Sequence, residues 1–354
     1  EKALNHSKKI GIDECEIVLV KKKITTVRIT DSEIAEIKQN FDESYGIRII
    51  HQKKIASSQS TDKQNVNKNI ENIFDTISNL KPREFWEELP YKAKLKKLDG
   101  TFDEKLENIS GSNAMDIAQD MINSTINNKV STITGSLNIV SEDFQLSNSK
   151  GLELADESTY ITGIINAESE FGNTPVSGIG HASGRTLLNF SPEQIGKDAK
   201  NMCVKAINPQ KIDSGKYSII FEPYSVGELL AFVVAANFNF KTFSEKKSCF
   251  SNDLNKKIGI DEFNLIDDPH IPEGIGTKSI DDEGIETQKR NLIENGIFKN
   301  TFSNLYDSFK EGVKSTGNSS RGGSPMGRSS EPIPISAPHN LKVNPGTSSQ
   351  EDMI

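Results

Sequence analysis

Cysteine is scarce in this chain. Its 354 residues include three thiols, Cys15, Cys203 and Cys249, set far apart. That spacing excludes a disulfide scaffold and a paired-cysteine zinc knuckle. Histidine is thin as well. His6, His51, His181, His270 and His339 have no near neighbours among themselves, so no His-x-His or His-Glu-x-x-His pattern exists. A metal site would have to be gathered from distant histidines, and each reads more simply as a surface or loop residue. No apolar run approaches the roughly 20 residues that span a bilayer. The first residues, EKALNHSKKIGIDECE, lack the apolar core and cleavage site of a secretion signal. Positive charge is also in deficit, with 42 Lys and Arg against 50 Asp and Glu, a net −8. Nonspecific affinity for nucleic acid is therefore disfavoured, because phosphates must be neutralised by cations. These absences point to a reducing, cytoplasmic compartment.

What is present is strand-like alternation followed by amphipathic helices. Residues 14–29, 33–39 and 45–57 are rich in Ile, Val and Thr with polar residues interleaved, which predicts an antiparallel meander. Asp62 is placed to cap a helix over 62–80, with Val66, Ile70, Ile73 and Ile77 on one face, ended by Pro82. A second helix is predicted over 112–128, and strands resume from 130 to 172. Ser191, Pro192 and Gln194 form the start of another helix, over 191–207. Its buried stripe is read as Ile195, Ala199, Met202 and Ala206, with Cys203 beside it as a packed structural thiol. Residues 216–223 read as a strand and 227–240 (GELLAFVVAANFNF) as one buried helix, apolar nearly all round. Asn295-Gly296, between two apolar runs, predicts a hairpin with a type I′ turn. The class is α+β and antiparallel-sheet-rich, in two domains, 1–212 (α+β) and 213–354 (β-rich). No fixed-period repeat is present.

Few motifs carry chemistry. Residues 178–184 (GIGHASG) have glycines spaced superficially like a dinucleotide fingerprint. Without a preceding first strand and a following helix, they read as a Gly-rich turn. Residues 317–327 lack the Gly-Lys-Ser/Thr ending of a phosphate loop and read as a flexible loop permitting close backbone approach. The acids are more informative. Asp267 and Asp268 precede a proline, and Asp281, Asp282 and Glu283 precede a glycine. Paired acids can bind a cation, work as acid and base, or cap turns. The spacing favours turn capping, and the ligand spacing of an EF-hand is absent.

The same acidic run carries a resemblance. The succession LIDDP, DDEGI, LIENGIFK, STGNSSR and HNLKVNPG resembles the TldD/PmbA family, once called modulators of DNA gyrase. Residues 45–62 are similar to the family's strand pair before its first helix, and 177–196 to the partner-type sequence ahead of its long helix. The resemblance spans nearly the whole chain and implies a two-domain TldD/PmbA-like fold. The family pairs a zinc protease subunit, TldD, with a homologous partner, PmbA or TldE. In the protease subunit the helix corresponding to 227–240 bears a His-Glu-x-x-x-His motif. Ungapped alignment on Gly227, Leu229 and Leu230 puts Ala231 and Ala236 at the histidines and Phe232 at the glutamate.

Two methyls and a benzyl group neither coordinate zinc nor move a proton. The resemblance thus implies a non-catalytic, TldE/PmbA-type subunit of a metalloprotease complex acting on unfolded peptides. No cofactor is expected in this chain, and zinc is expected in a TldD-like catalytic partner. The assembly would be a heterodimer, or else a homodimer. Membrane and nucleic-acid partners are not expected. Asp267, Asp268, Asp281, Asp282 and Glu283 are candidate acids at turns near a cleft, with Gly317, Asn318 and Arg321 as the adjacent loop. Relative to the family, the C-terminal domain reads as truncated, and the third zinc ligand of the protease subunit would fall in the part absent here. The alternatives are an independent hydrolase using Cys249 or the acid pairs, and a homodimeric binding or scaffold protein without protease activity.

Overall fold

The computed structural model describes residues 1–353. Its largest element is a six-stranded antiparallel sheet in the order β3-β2-β1-β4-β5-β6. The strands are β1 (Glu14–Thr30), β2 (Glu33–His51), β3 (Lys54–Ser60), β4 (Thr132–Asn148), β5 (Glu153–Ser169) and β6 (Val176–Gly184). The sequence pattern over 33–57 suggested two strands there. In fact β2 runs unbroken through its exposed centre, and the break falls later, at Gln52-Lys53. Pairing with β1 along all of its length explains the continuity. The turns after β1 and β2 are two-residue loops, Asp31-Ser32 (φ 51° and 66°) and Gln52-Lys53 (φ 51° and 60°). Both use the left-handed region without glycine, so neither carries the usual sequence signature.

Period-two alternation gives this sheet two unlike faces. Odd-numbered β1 residues Cys15, Val27 and Ile29 meet helices. At one end α1 (Lys2–Lys9) and α2 (Val66–Ile77) cover Cys15, Ile47, Ile49 and Ala56. At the other end, after the short α3 (Glu104–Glu107), α4 (Gly111–Thr125) and α5 (Pro192–Lys205) cover Val27, Ile139, Ile161 and Ile165. Even-numbered residues face the other way. Val18, Val20, Phe144, Leu146 and Leu154 form a separate apolar cluster, which Ile280 of the second half completes.

Ser191 caps α5 by accepting from the Gln194 N–H (3.3 Å). Its stripe differs from expectation: Cys203 is fully buried while Met202 is exposed, and Ala206, the residue that ends the helix, is half-buried. A shift of one residue rotates a side chain by about 100° around a helix, and β6 lies on the Cys203 side. Residues 178–184 are strand rather than turn. A Cβ at Gly178 would lie 2.2 Å from the Cys203 N, and one at Gly180 would lie 1.9 Å from the Ile195 O. Those glycines let α5 and β6 approach backbone to backbone, which accounts for the motif without a nucleotide.

The second half begins with a stretch that has no regular structure until α6 (Pro223–Glu228), so no strand forms over 216–223. A π-helical turn, Leu229–Val234, and a 3-10 turn, Ala235–Phe238, follow, and then α7 (Phe240–Ser244). The expected buried helix is therefore irregular, and it is half exposed. Phe232 is 82% exposed and Val233 58%, while Ala235 and Phe238 are buried. The reason is the small size of what it packs on. The sheet β12-β7-β8-β9 contains only β7 (Leu265–Asp267), β8 (Arg290–Glu294), β9 (Ile297–Phe298) and β12 (Leu341–Val343), and it covers one side of the segment. Phe238 meets Leu265, Leu292, Phe298 and Phe302 there. The β8–β9 turn uses Asn295 (φ 49°) and Gly296 (φ 71°), the type I′ geometry its sequence predicts. Helix α8 (Leu305–Lys310) and the two-residue strands β10 (Ser319–Ser320) and β11 (Ile335–Ser336) complete the description.

Candidate functional site

The even face of the large sheet carries charge where it meets the second half. Glu16 of β1 lies directly opposite Arg48 of β2, and Lys22 of β1 opposite Glu142 of β4. Strand alternation aims all four at the docked residues 278–331. Glu16 accepts from Arg48 Nη2 (2.9 Å) and from Arg321 Nη2 (2.5 Å). Arg48 also donates from Nη1 to Glu283 Oε1 (2.7 Å). Glu283 accepts further from the Leu305 N–H (3.0 Å) and from the Ser319 hydroxyl. Arg321 donates from Nε to the Asp282 carbonyl (2.9 Å), while Asp282 accepts from the Arg321 N–H (2.8 Å) and Lys278 Nζ (2.9 Å). Alongside, Arg328 donates to Glu142 (2.7 Å) and Asp156 (2.6 Å), and Lys22 donates to the Met326 carbonyl (2.6 Å).

Burial would make unpaired charge here very costly, so charge balance matters. The cations are Arg48, Arg321, Arg328, Lys22 and Lys278; Glu16, Glu142, Asp156, Asp282 and Glu283 match them in number. Asp281 lies beyond these pairs. It is buried and accepts from the N–H groups of Glu283 (3.0 Å), Ile285 (2.9 Å) and Ser319 (3.0 Å). Burial and the neighbouring Glu283 nevertheless push its pKa up to about 7. Asp282 and Glu283 move the other way. Although burial opposes it, Lys278 and Arg328 hold Asp282 below the usual carboxylate range, and Arg48 and Ser319 do the same for Glu283.

The other candidates divide. Asp267 is fully buried and accepts from Asn318 Nδ2 (2.7 Å) and from the N–H groups of His339 (2.8 Å) and Asn340 (3.1 Å). Asp268 lies at the edge, capping the His270 N–H (3.0 Å) and meeting Lys289 (3.2 Å). Gly317 (φ 72°) sits where a Cβ would be 2.5 Å from the Glu286 O. The stretch read as a flexible loop is thus, over 317–321, buried and threaded through the network, because its N–H groups are the donors the acids require. A cavity of about 130 Å³ lies beside it, lined by Lys278, Asp282, Arg328, His339, Ser158 and Tyr160 among others. Sequence reasoning missed Glu16, Arg48, Glu142 and Arg328. For Glu16, Arg48 and Glu142 the signal was a charged residue at a core-facing position of a strand; Arg328, outside any strand, gave none.

Ala231, Phe232 and Ala236 lie well apart from these acids in sequence and offer no donor atom. Among the described residues no group of three or more His, Cys, Asp or Glu side chains is placed to hold a metal. Two methyls and a benzyl group are not zinc ligands. Of the thiols, burial pushes Cys15 up to about 12 and raises Cys203, which disfavours the thiolate form of both. Cys249 is exposed. No described helix is long and apolar enough to cross a membrane.

Comparison with known proteins converges on one group. Residues 214–354 match the family described as PmbA/TldA metallopeptidase C-terminal domain, and residues 15–81 match PmbA/TldA metallopeptidase domain 1. An uncharacterized protein of Methanocaldococcus jannaschii, MJ0231, is 25% identical over 324 residues, 91% of this chain and 74% of that one. The metalloprotease PmbA of Escherichia coli O157:H7 is 29% identical over 136 residues, 38% of this chain and 30% of that protein. The crystal structure of TldE from Thermococcus kodakarensis superposes with a TM-score of 0.84 at 20% identity, covering 99% of this chain and 79% of the other. At that identity the likeness speaks for the fold.

Proposed function

We propose a function from one premise, that this chain belongs to the PmbA/TldD metallopeptidase family: it is the non-catalytic subunit of a TldD/TldE-type protease complex acting on unfolded peptides. The observation that carries the reading is the chemistry at Ala231, Phe232 and Ala236. These side chains have no atom able to bind Zn²⁺ or to take a proton from its water. Phe232 points into solvent, so this segment contributes surface rather than reaction.

The saturated network of Glu16, Arg48, Arg321, Asp282 and Glu283 supports the same reading. Each of these groups is already paired, so Glu16, Asp282 and Glu283 are not free to act as general bases. The chain would supply interface and cleft wall to a catalytic homologue that carries the His-Glu-x-x-x-His motif and its zinc. Peptide held in extended form by backbone hydrogen bonds would be accepted with little regard to side-chain sequence.

The test combines light scattering with a fluorescent unfolded-peptide assay on this protein, on a cognate His-Glu-x-x-x-His subunit, and on their mixture. The expected result is no cleavage by this chain, and a stable, chelator-sensitive activity in the mixture. A catalytic subunit equally active alone and never co-eluting with this chain would end the proposal. So would about one tightly held zinc per chain in the isolated protein.

A further inference from the structure

Arg185, just after β6, adds a cation to the junction that the charge balance above did not include. It is 2% exposed, and its guanidinium donates only to carbonyl oxygens. Nε meets Thr159 (2.8 Å), Nη1 meets Ile275 (3.2 Å) and Thr277 (3.3 Å), and Nη2 meets Thr101 (2.7 Å). The carboxylates that act on it, Glu142 and Asp156, are already engaged by Arg328, and Lys22 lies 3.8 Å from Glu142. Lys22, Arg185 and Arg328 therefore share two carboxylates, while Lys278 and Asp282 balance each other. Tyr160, whose ring lies 4.3 Å from the Arg185 guanidinium, does not make up the difference. Burial and Glu142 push its phenol up, so it stays a neutral hydroxyl. Burial likewise holds Arg185 and Lys22 below their ordinary values. A buried surplus of one positive charge is costly unless an anion meets it.

That surplus lies against the cavity of about 130 Å³. Tyr160, Ile275 and Thr277, all in contact with Arg185, line it together with Lys278, Arg328 and Ser320. At about 30 Å³ per water, it has room on the order of four waters, or one small oxyanion. Its wall is rich in donors. Lys278 Nζ gives one N–H to Asp282 (2.9 Å) and has two more. Arg328 uses Nε and Nη2, but its Nη1 has no hydrogen-bond partner among the described residues, and neither has the Ser320 hydroxyl. The Tyr160 hydroxyl is a further donor. The carboxylate in the wall, Asp282, has both oxygens occupied, by Lys278 and by the Arg321 N–H. His339 is kept neutral by burial and by Lys278, and its Nε2 meets the Gly317 carbonyl (2.7 Å). The donors come from β5, residue 278, β10 and residue 328, so they converge from several directions rather than in one plane.

We propose that this cavity binds one small tetrahedral oxyanion of the phosphate class, held by Lys278, Arg328, Tyr160 and Ser320. Charge-assisted hydrogen bonds to two cations are the strong kind, and the anion supplies the negative charge that the junction lacks. Because Tyr160 belongs to the large sheet and the other three to the second half, occupancy ties the two halves together. The site goes beyond the subunit role proposed above and does not depend on it.

The test uses the full-length protein exchanged into chloride buffer and titrated with inorganic phosphate at constant ionic strength. Calorimetry should show one site per chain, and the melting temperature should rise saturably, since a ligand that binds only the folded state stabilises it. Ser320→Ala, which removes a half-buried hydroxyl, and Tyr160→Phe, which keeps the ring on Arg185, should each weaken phosphate binding several-fold. Ser320→Asp places a carboxylate in the wall. It should melt higher than the parent in chloride and gain nothing from phosphate. Phenyl phosphate distinguishes the sources: equal binding assigns the site to a phosphate carried on a larger molecule, and exclusion assigns it to the free anion. Absence of saturable binding overturns the proposal. So does phosphate binding undiminished in all three variants, and acetate acting as well as phosphate overturns the tetrahedral assignment. None of these outcomes bears on whether a catalytic homologue binds.

Discussion

The segments 212–233 and 267–321 belong to the same half of the chain, yet they treat polarity in opposite ways. The first exposes isoleucine, phenylalanine and tyrosine to water, while the second buries aspartate, glutamate and arginine away from it. What differs is the neighbourhood each was given. Residues 267–321 dock on a sheet face whose own charges are fixed by strand register, so Glu283 arrives at Arg48 and Arg321 at Glu16. Residues 212–233 have no such face within the described chain. Burial therefore follows from where a partner surface exists, not from the hydrophobicity of a segment.

The sharpest way to break the contrast is at Glu16, the carboxylate shared by two arginines. Glu16→Ala leaves Arg48 with Glu283 but deprives Arg321 of its carboxylate partner in a fully buried position. Removing one partner of a buried pair costs about 3–5 kcal/mol. Denaturant titration should show a loss of that order. A variant as stable as the parent would mean the network is solvated rather than buried.

The contrast can also be sharpened with pH. The folded-state pKa of Asp281 is raised from 3.8 to about 7, so the folded protein holds a proton that the unfolded chain has lost. Stability from this group is complete below about pH 3.8 and declines as pH rises toward 7, with a slope approaching 1.4 kcal/mol per pH unit, on the order set by one proton. Asp282 and Glu283, with lowered values, act in the opposite sense: their contribution is present at neutral pH and is lost only as pH falls through their folded values. Between pH 5 and 7 the lowered His181 and His339 oppose that slope while the raised Glu14 and Asp307 add to it, so the Asp281 contribution is read as the difference between parent and an Asp281→Asn variant. Asp281→Asn should be less stable at pH 5, because the Ser319 N–H faces an amide, but it should lack that slope. Identical slopes in parent and variant would show that Asp281 is ionised throughout.

At the other region, changes should be nearly silent. Phe232→Ser, measured at low protein concentration, should shift folding stability by no more than about 0.5 kcal/mol, as for an exposed side chain free of special contacts. A larger loss in thermal melting would mean that the ring is packed, and would erase the distinction between the two segments.

Local features of this fold were legible in the sequence because their causes are local. The alternation of β1, the Ser191 cap and the Asn295-Gly296 turn each depend on residues within a few positions. The turns at Asp31-Ser32 and Gln52-Lys53 were not, since they adopt left-handed backbone without glycine. The choice of Cys203 over Met202 as the buried position is one step of helical phase, set by where β6 lies. The acids were visible as a cluster of carboxylates beside turn residues. Arg321 was visible too, in the adjacent loop, but the pairings across the sheet were not, because Glu16 meets Arg321 across 305 positions and Arg328 meets Glu142 across 186. No pattern within a window of sequence encodes such a pairing. The hydrophobic run 227–240 misled for the converse reason: its composition said buried, but burial requires a second surface of sufficient size.

The reach of the Glu16–Arg321 contact also sets an order of events at the ribosome. The helices that cover the odd face of the large sheet are all encoded by residue 205, so that side can be sealed as soon as α5 has emerged. The even face must wait for residues 278–331, which begin 94 codons after the sheet's last strand ends at Gly184. During that interval Glu16, Lys22, Arg48, Glu142 and Asp156 stand in water, where charge is inexpensive. Late burial of ions thus doubles as protection: the unfinished face is kept wet and resists pairing with other nascent chains until its own second half arrives.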